Sequence, residues 1–411
     1  MTTASLHESS AAQRTLWLST IAFTVCFAVW TIFSIIGIRI KQQLGLSETE
    51  FGLLIGTPIL IGSLVRVPFG IWTSRYGGRV VYTLTMLASA LATFLLTYAT
   101  TYSQFLVAAL GVGLAGGSFS VGVAYVSPFF PAEKQGTALG IFGAGNVGAA
   151  VTKFLAPFVL LAYGWQAVAE IWAAGLVLMG IAFWFLSKDE PNFVAQRDVP
   201  ISHKSFAAEL TPLKNPQAWR FSLYYFFAFG GFVALALWLP RYLIGVYGFD
   251  IETAGMVAAA YSIPGSIFRA YGGVLSDRKG ARSVMYFMFA VAAVTTGILS
   301  CPTKPIVFIV AIFALGFVMS LGKAAVYKHI PMYYPGSVGP VGGMVGMVGG
   351  LGGFVLPIAF GALKDATGYW PSCFILMFAI VILLLGWMHV SIRELQRRMA
   401  SSAPTTALAA S

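Results

Sequence analysis

The sequence predicts an all-α membrane protein of twelve transmembrane helices in two six-helix bundles related by a parallel repeat, and three observations predict it. Of 411 residues, 58% are hydrophobic and only 9% charged, with a mean hydropathy of +0.82, against about 25% charged residues in an ordinary soluble protein. Apolar stretches of the about 20 residues needed to cross a hydrocarbon core of about 30 Å recur along nearly the whole chain. A segment of the first half reappears in the second at an offset of 203 residues. A water-soluble fold is excluded.

The first dozen residues are mostly polar. The apolar stretch near 15–40 is too long for a signal-peptide core and has no convincing cleavage site, so it reads as a retained first helix. Helices two to six are expected near 51–73, 80–99, 103–129, 135–163 and 166–187, closing an N-terminal bundle at 1–187. The polar stretch 188–217, with Lys188, Asp189, Glu190, Pro191, Asp198, Lys204 and Pro212, is the expected linker. Helices seven to twelve are expected near 218–246, 253–275, 283–301, 304–330, 338–363 and 370–392, making a second bundle of 218–393 and leaving 394–411 as a tail.

The net charge of +11 raises the question of nucleic acid, and the distribution of the 25 Lys and Arg answers it. Sixteen fall on ends and loops of one face, including Arg75, Arg79, Arg278 and Arg282, and only five on the other: Arg39, Lys41, Arg241, Lys304 and Lys364. That is the positive-inside bias, which places both termini in the cytoplasm and the chain in the inner membrane, with lipid as its surroundings and no nucleic-acid partner. The three cysteines, Cys26, Cys301 and Cys373, stand singly in apolar surroundings and read as packing residues. The four histidines, His7, His203, His329 and His389, have no metal spacing, no nucleophile elbow is present, and neither an enzyme nor a cofactor is expected.

The repeat maps Gly62-Ser63 onto Gly265-Ser266, Arg66 onto Arg269, Gly70 onto Gly273, Arg75 onto Arg278, Gly77 onto Gly280 and Arg79 onto Arg282. A parallel six-helix repeat is the internal symmetry of the major facilitator architecture, with substrate held between the halves near the midplane. Gly273-Val-Leu-Ser-Asp277-Arg278-Lys-Gly280-Ala-Arg282 resembles the loop motif of that superfamily, while the first copy, Gly70 to Arg79, carries Ser74 where the motif has an aspartate.

Four cations lie inside apolar stretches: Arg66, Lys153, Arg269 and Lys323. Each costs about 2.5 to 3.5 kcal/mol to insert at a helix centre. Snorkelling does not relieve Arg66, because the nine residues to Arg75 at about 1.5 Å each put it about 13 Å from the loop. No obvious carboxylate partners these cations. An unpaired arginine presents a permanently charged planar fork, which matches a planar oxyanion in two-point contact better than a lysine can. Glycines supply a second feature: Gly113, Gly116 and Gly117 in helix four, Gly136, Gly140, Gly143, Gly145 and Gly148 in helix five, and Gly342, Gly343, Gly346, Gly349, Gly350, Gly352 and Gly353 in helix eleven. Spacings of four let helices approach closely and slide. Gly143-Ala-Gly145-Asn146-Val-Gly148 matches a dinucleotide fingerprint, but it follows a helix start instead of a strand.

Ala115-Gly-Gly-Ser-Phe119 through Pro131, then Gln135 to Gly140, Gly145-Asn146-Val-Gly148, and Gly342 to Pro357 resemble the two signatures of the nitrate/nitrite porter family, and the resemblance spans essentially the whole chain. It implies that Arg66 and Arg269 contact a nitrate or nitrite anion, that Asn146 orients it, and that Phe119, Tyr225 and Phe229 wall the site, with Tyr224 as the alternative register. An apolar wall excludes tetrahedral oxyanions by size. Lys153 and the Lys323 to Pro331 segment resemble the branch that couples nitrate to protons; the exchanging branch usually has uncharged residues at both lysine positions. Lysine, unlike arginine, can release its proton, so nitrate/proton symport by a monomer is expected. The lysines only raising the positive potential, a nitrate/nitrite antiporter, and a carrier of organic anions or drugs are the alternatives.

Overall fold

The computed structural model describes residues 3–190, 215–333 and 338–401. Most of the expected linker (191–214) and the end of the expected tail (402–411) lie outside the described residues. Every regular element among the described residues is helical. In chain order these are α1 (Thr3–Trp30), α2 (Phe33–Leu44), α3 (Glu48–Leu64), α4 (Arg66–Tyr76), α5 (Gly78–Leu95), α6 (Tyr102–Val112), α7 (Ser118–Val126), α8 (Ala132–Gly143) and α9 (Gly148–Leu186), followed by α10 (Pro216–Tyr225), α11 (Phe232–Tyr247), α12 (Ile251–Ile267), α13 (Arg269–Lys279), α14 (Ala281–Leu299), α15 (Pro305–Tyr333), α16 (Val338–Thr367) and α17 (Ser372–Ser401).

Among the described residues, nine helices are long and apolar enough to cross a bilayer, or ten when α3 and α4, bent by 41°, are one span. Twelve were expected. Part of the difference is that Thr137–Leu186 runs 50 residues as one stretch, although Gly164 inside it has φ 87° and ψ 169°, outside any helix.

The repeat is written in the backbone. Gly45 and Gly248 end helices at φ 63° and 66°, and Gly77 and Gly280 stand at φ 83° and 80°, each pair at the same offset of 203 residues. Left-handed values cost glycine little because it lacks Cβ. The Gly62-Ser63 and Gly265-Ser266 pairs directly precede the breaks between α3 and α4 and between α12 and α13, at Val65 and Phe268. Gly/Ser pairs are a common cause of such kinks. Arg66 and Arg269 are the first residues after the break in each half.

Across the halves α3 packs along α16, α9 along α12, and α2 against α11. At the end holding the start of α3 the halves are tied together. Asp365 of α16 accepts hydrogen bonds from the backbone N–H of Glu48 (3.1 Å) and of Thr49 (2.7 Å) and from the Thr49 hydroxyl. Glu48, 8% exposed, pairs with Arg241 of α11 and, at 3.5 Å, with Lys41 of its own half. Asp365 and Arg241 thereby anchor the first turn of α3 from the opposite half.

Candidate functional site

Arg66 and Arg269 are buried, at 6% and 9% exposure, and both reach the Phe119 ring, whose centroid is 5.4 Å from the Arg66 Cζ and 5.5 Å from the Arg269 Cζ. Cations over aromatic faces gain attraction without being neutralised. The Arg66 Cζ is also 5.2 Å from the Phe229 ring, and its Nη1 donates to the Gly346 carbonyl at 2.9 Å. Among the described residues neither arginine has a carboxylate partner. Arg66 Nε, Arg269 Nη1 and both polar atoms of the Asn146 side chain are buried without a hydrogen-bond partner in the protein. Buried polar atoms are nearly always satisfied, so several orphaned donors in one fold interior, two of them on permanent cations, mark a place for a polar anionic guest.

Tyr225 and Phe229 stack in parallel, 5.2 Å apart at 10°, where α10 passes into the wider turn Phe226–Gly231. Tyr224 turns away to Phe221 and Phe289. Sequence reasoning missed Tyr327. Its ring meets Tyr225 edge-on at 4.9 Å and lies 5.9 Å from the Arg269 Cζ, and its hydroxyl donates to the Gly342 carbonyl at 3.3 Å. Its position one turn after Lys323 on the same helix was the available signal.

The signature glycines divide by what a side chain would meet. A Cβ at Gly143 would lie 3.4 Å from Arg269 Cδ, at Gly346 2.8 Å from the Tyr327 hydroxyl and 3.7 Å from Arg66 Nη1, and at Gly350 3.6 Å from Arg66 Nη1. At Gly350 a Cβ would first collide with the Ser63 hydroxyl; these three glycines border the arginine side chains at ordinary contact distance, and Gly349 lies under the Tyr225 ring. Gly116, Gly117, Gly145 and Gly148 instead admit Trp30, Phe69, Phe23 and the backbone of α1; they are packing positions.

The two lysines lie at different distances from the arginines. Lys153, fully buried, donates to the Ala149 carbonyl (3.1 Å) and, across the halves, to the Ser262 hydroxyl (3.0 Å). Lys323 donates to the Gly265 carbonyl at 2.6 Å and stands 3.4 Å over the Phe232 ring. Ser262, the partner of Lys153, precedes Arg269 by seven residues, about 10 Å along the chain, whereas Gly265, the partner of Lys323, precedes it by only four, about 6 Å.

The Major Facilitator Superfamily profile matches residues 18–256 and 246–407. The chain is 40% identical over 418 aligned positions to the "Probable nitrate/nitrite antiporter NarK1" of Thermus thermophilus, covering 94% of this chain and 93% of the relative. It is 28% identical to the "Nitrite extrusion protein" of Bacillus subtilis (strain 168), covering 90% and 93%, and 30% identical to the "Probable nitrate transporter NarT" of Staphylococcus epidermidis, covering 92% and 96%. Among solved structures it resembles a bacterial homolog of the human lysosomal transporter Spinster in an inward-facing, occupied conformation, with a TM-score of 0.71 at 16% identity, covering 92% of this chain and 96% of that one. At that identity the likeness concerns the fold alone.

Proposed function

Since the chain belongs to the Major Facilitator Superfamily and is closely related to its nitrate/nitrite transporters, we propose that it carries nitrate and nitrite across the inner membrane by alternating access, and that it does so as an exchanger. The observation that carries this reading is the arginine pair: two permanent forks that share the Phe119 ring and have, among the described residues, no carboxylate to neutralise them. Binding one planar monovalent anion between them leaves one positive charge fewer to bury. Moving the empty site through the membrane interior exposes both charges to the full cost, so return with an anion is favoured. Arg66 and Arg269 hold the anion, Asn146 orients it, and Phe119, Tyr225 and Phe229 wall it. The name of the 40%-identical relative supports exchange over the proton symport that the lysines suggested.

The spans are read as twelve, six in 1–187 and six in 218–393. A 50-residue helix would be about 75 Å long at about 1.5 Å per residue, more than twice the core of about 30 Å, and Gly164 divides it. The α12 and α13 pair is the counterpart of the bent α3 and α4 pair. Both termini are cytoplasmic, which puts the Asp365 and Glu48 tie on the outer face, and the monomer is the working unit.

Proton symport is the second reading, favoured by Lys153 and Lys323 in an interior without a carboxylate partner for either. Proteoliposomes separate the two. Exchange requires labelled nitrate to enter only when nitrite or nitrate is present inside. Uptake into anion-free vesicles driven by a pH gradient would replace exchange with symport, and no nitrate or nitrite flux under either condition would sink the substrate assignment.

A further inference from the structure

The second half carries a small open cleft at the end where α10 and α14 begin and α15 and α17 finish. Its polar lining is Gln217, Arg220, Tyr224, Arg282, His329, Tyr333 and Ser391. Among the described residues no acidic side chain lines it and neither arginine forms a salt bridge. Arg282 Nη2 donates to the Tyr333 hydroxyl at 2.6 Å and Arg220 donates to Gln217. The His329 ring stacks in parallel on Tyr333, 5.8 Å away, with Nδ1 2.9 Å from the Ala325 carbonyl.

The first half shows how the corresponding corner is satisfied there. The offset of 203 residues that relates the halves pairs Arg79 with Arg282, Trp184 with Trp387, and Glu190 with Arg393. Arg79 donates Nε and Nη2 to the Trp184 carbonyl at 2.9 and 2.6 Å and lies 4.6 Å over the Trp184 ring. Beside it the Glu190 side chain, on a residue 4% exposed, accepts the Gly78 N–H at 2.7 Å. In this corner of the first half the carboxylate caps the start of α5, and Arg79 is satisfied by a carbonyl and an indole ring. At the same offset the second half has Arg393, an exposed cation on α17, instead of an acid, and Arg282 turns to a neutral tyrosine. Among the described residues the cleft concentrates donors and positive charge.

We propose that this cleft binds a phosphate-type oxyanion, the anionic partner that Arg220 and Arg282 lack among the described residues. Two guanidinium groups and the aromatic hydroxyls around them present converging donors to a tetrahedral oxyanion. Met285, Met388 and Ile392 on the same wall also suit a phosphate attached to an acyl chain, so the headgroup of an anionic lipid and free phosphate share this chemistry. The proposal is independent of the transport reading.

The test uses the purified full chain without nitrate or nitrite. One arm titrates inorganic phosphate in a neutral detergent and follows the melting temperature. The other compares phosphatidylcholine discs with and without phosphatidylglycerol and counts retained lipid by native mass spectrometry. Stabilisation by phosphate identifies the free anion, retained phosphatidylglycerol identifies the lipid, and either supports the site. Arg282→Gln and Arg220→Gln should each weaken the effect by at least about tenfold, and Ser391→Glu, which brings a carboxylate into the cleft, should abolish it while preserving the unliganded melting temperature. Arg397→Gln, an exposed arginine on α17 outside the cleft, should change nothing. The proposal is overturned if neither ligand binds, if binding survives all three cleft substitutions, or if Arg397→Gln weakens it as much as Arg282→Gln does.

Discussion

At the scale of single residues, the argument turns on the difference between a charge and a fork. Arg66 already gives one nitrogen to the Gly346 carbonyl and keeps Nε unpartnered, so an ammonium in its place would keep the charge and lose the second point of contact. Arg66→Lys or Arg269→Lys is expected to lower nitrate flux at least about tenfold with normal membrane insertion, the loss typical of a charge-assisted contact; labelled-nitrate uptake normalised to expression measures it, and wild-type flux in both variants refutes the two-fork site. Asn146→Ala and Phe119→Ala should weaken nitrate binding or blur discrimination between nitrate and chlorate while the fold persists. Unchanged affinity and unchanged discrimination in both would remove them from the site. The arginines were legible in the sequence because a central charge is too costly in an apolar helix to be incidental. Tyr327 was not, since an aromatic residue in an apolar helix costs nothing and draws no notice. The Glu48 partners were missed for another reason: Lys41 and Arg241 were read as loop charges of one face, and only the folded halves bring Arg241 to that acid.

At the scale of elements, the glycine-rich stretch of α16 makes a graded prediction. Gly343→Ala adds a methyl group that meets nothing within 4 Å, whereas Gly346→Ala puts it 2.8 Å from the Tyr327 hydroxyl. Transport should survive the first and fall sharply in the second, with both proteins inserted; equal activity would show that clearance around Arg66 and Tyr327 does not matter. The sequence showed where glycines cluster but not which served packing and which served the site, because spacing of four describes a helix face without saying what faces it. The breaks at Val65 and Phe268 illustrate the same limit. The repeated Gly-Ser pair is visible in the sequence, yet its consequence, an arginine at the first position after each bend, is a matter of backbone geometry.

At the scale of the whole molecule, exchange of one monovalent anion for another moves no net charge, so its rate should be indifferent to an imposed potential. Symport with more than one proton per nitrate would carry positive charge inward at about 2.3 kcal/mol per charge for each 100 mV. Measuring labelled uptake at several potassium diffusion potentials distinguishes them, and acceleration by a negative interior would count against exchange. Lys153→Gln and Lys323→Gln should leave exchange directionless and potential-independent while slowing it, because each removes a buried positive charge from the interior that holds the arginines. The tie at the start of α3 has a further effect on this cycle. Asp365 grips backbone N–H groups, so side-chain changes at Glu48 and Thr49 leave that part of the tie intact, and loss of the Asp365 carboxylate is expected to weaken the preference for the orientation in which the tie is closed. A carrier that rests in one orientation presents its site to one compartment most of the time, and the apparent affinity on each side scales with the fraction of molecules facing it. Asp365→Asn should therefore move the half-saturating anion concentrations of the two compartments in opposite directions, making the carrier less sensitive to cytoplasmic anion and more sensitive to external anion without altering a single contact at the arginines.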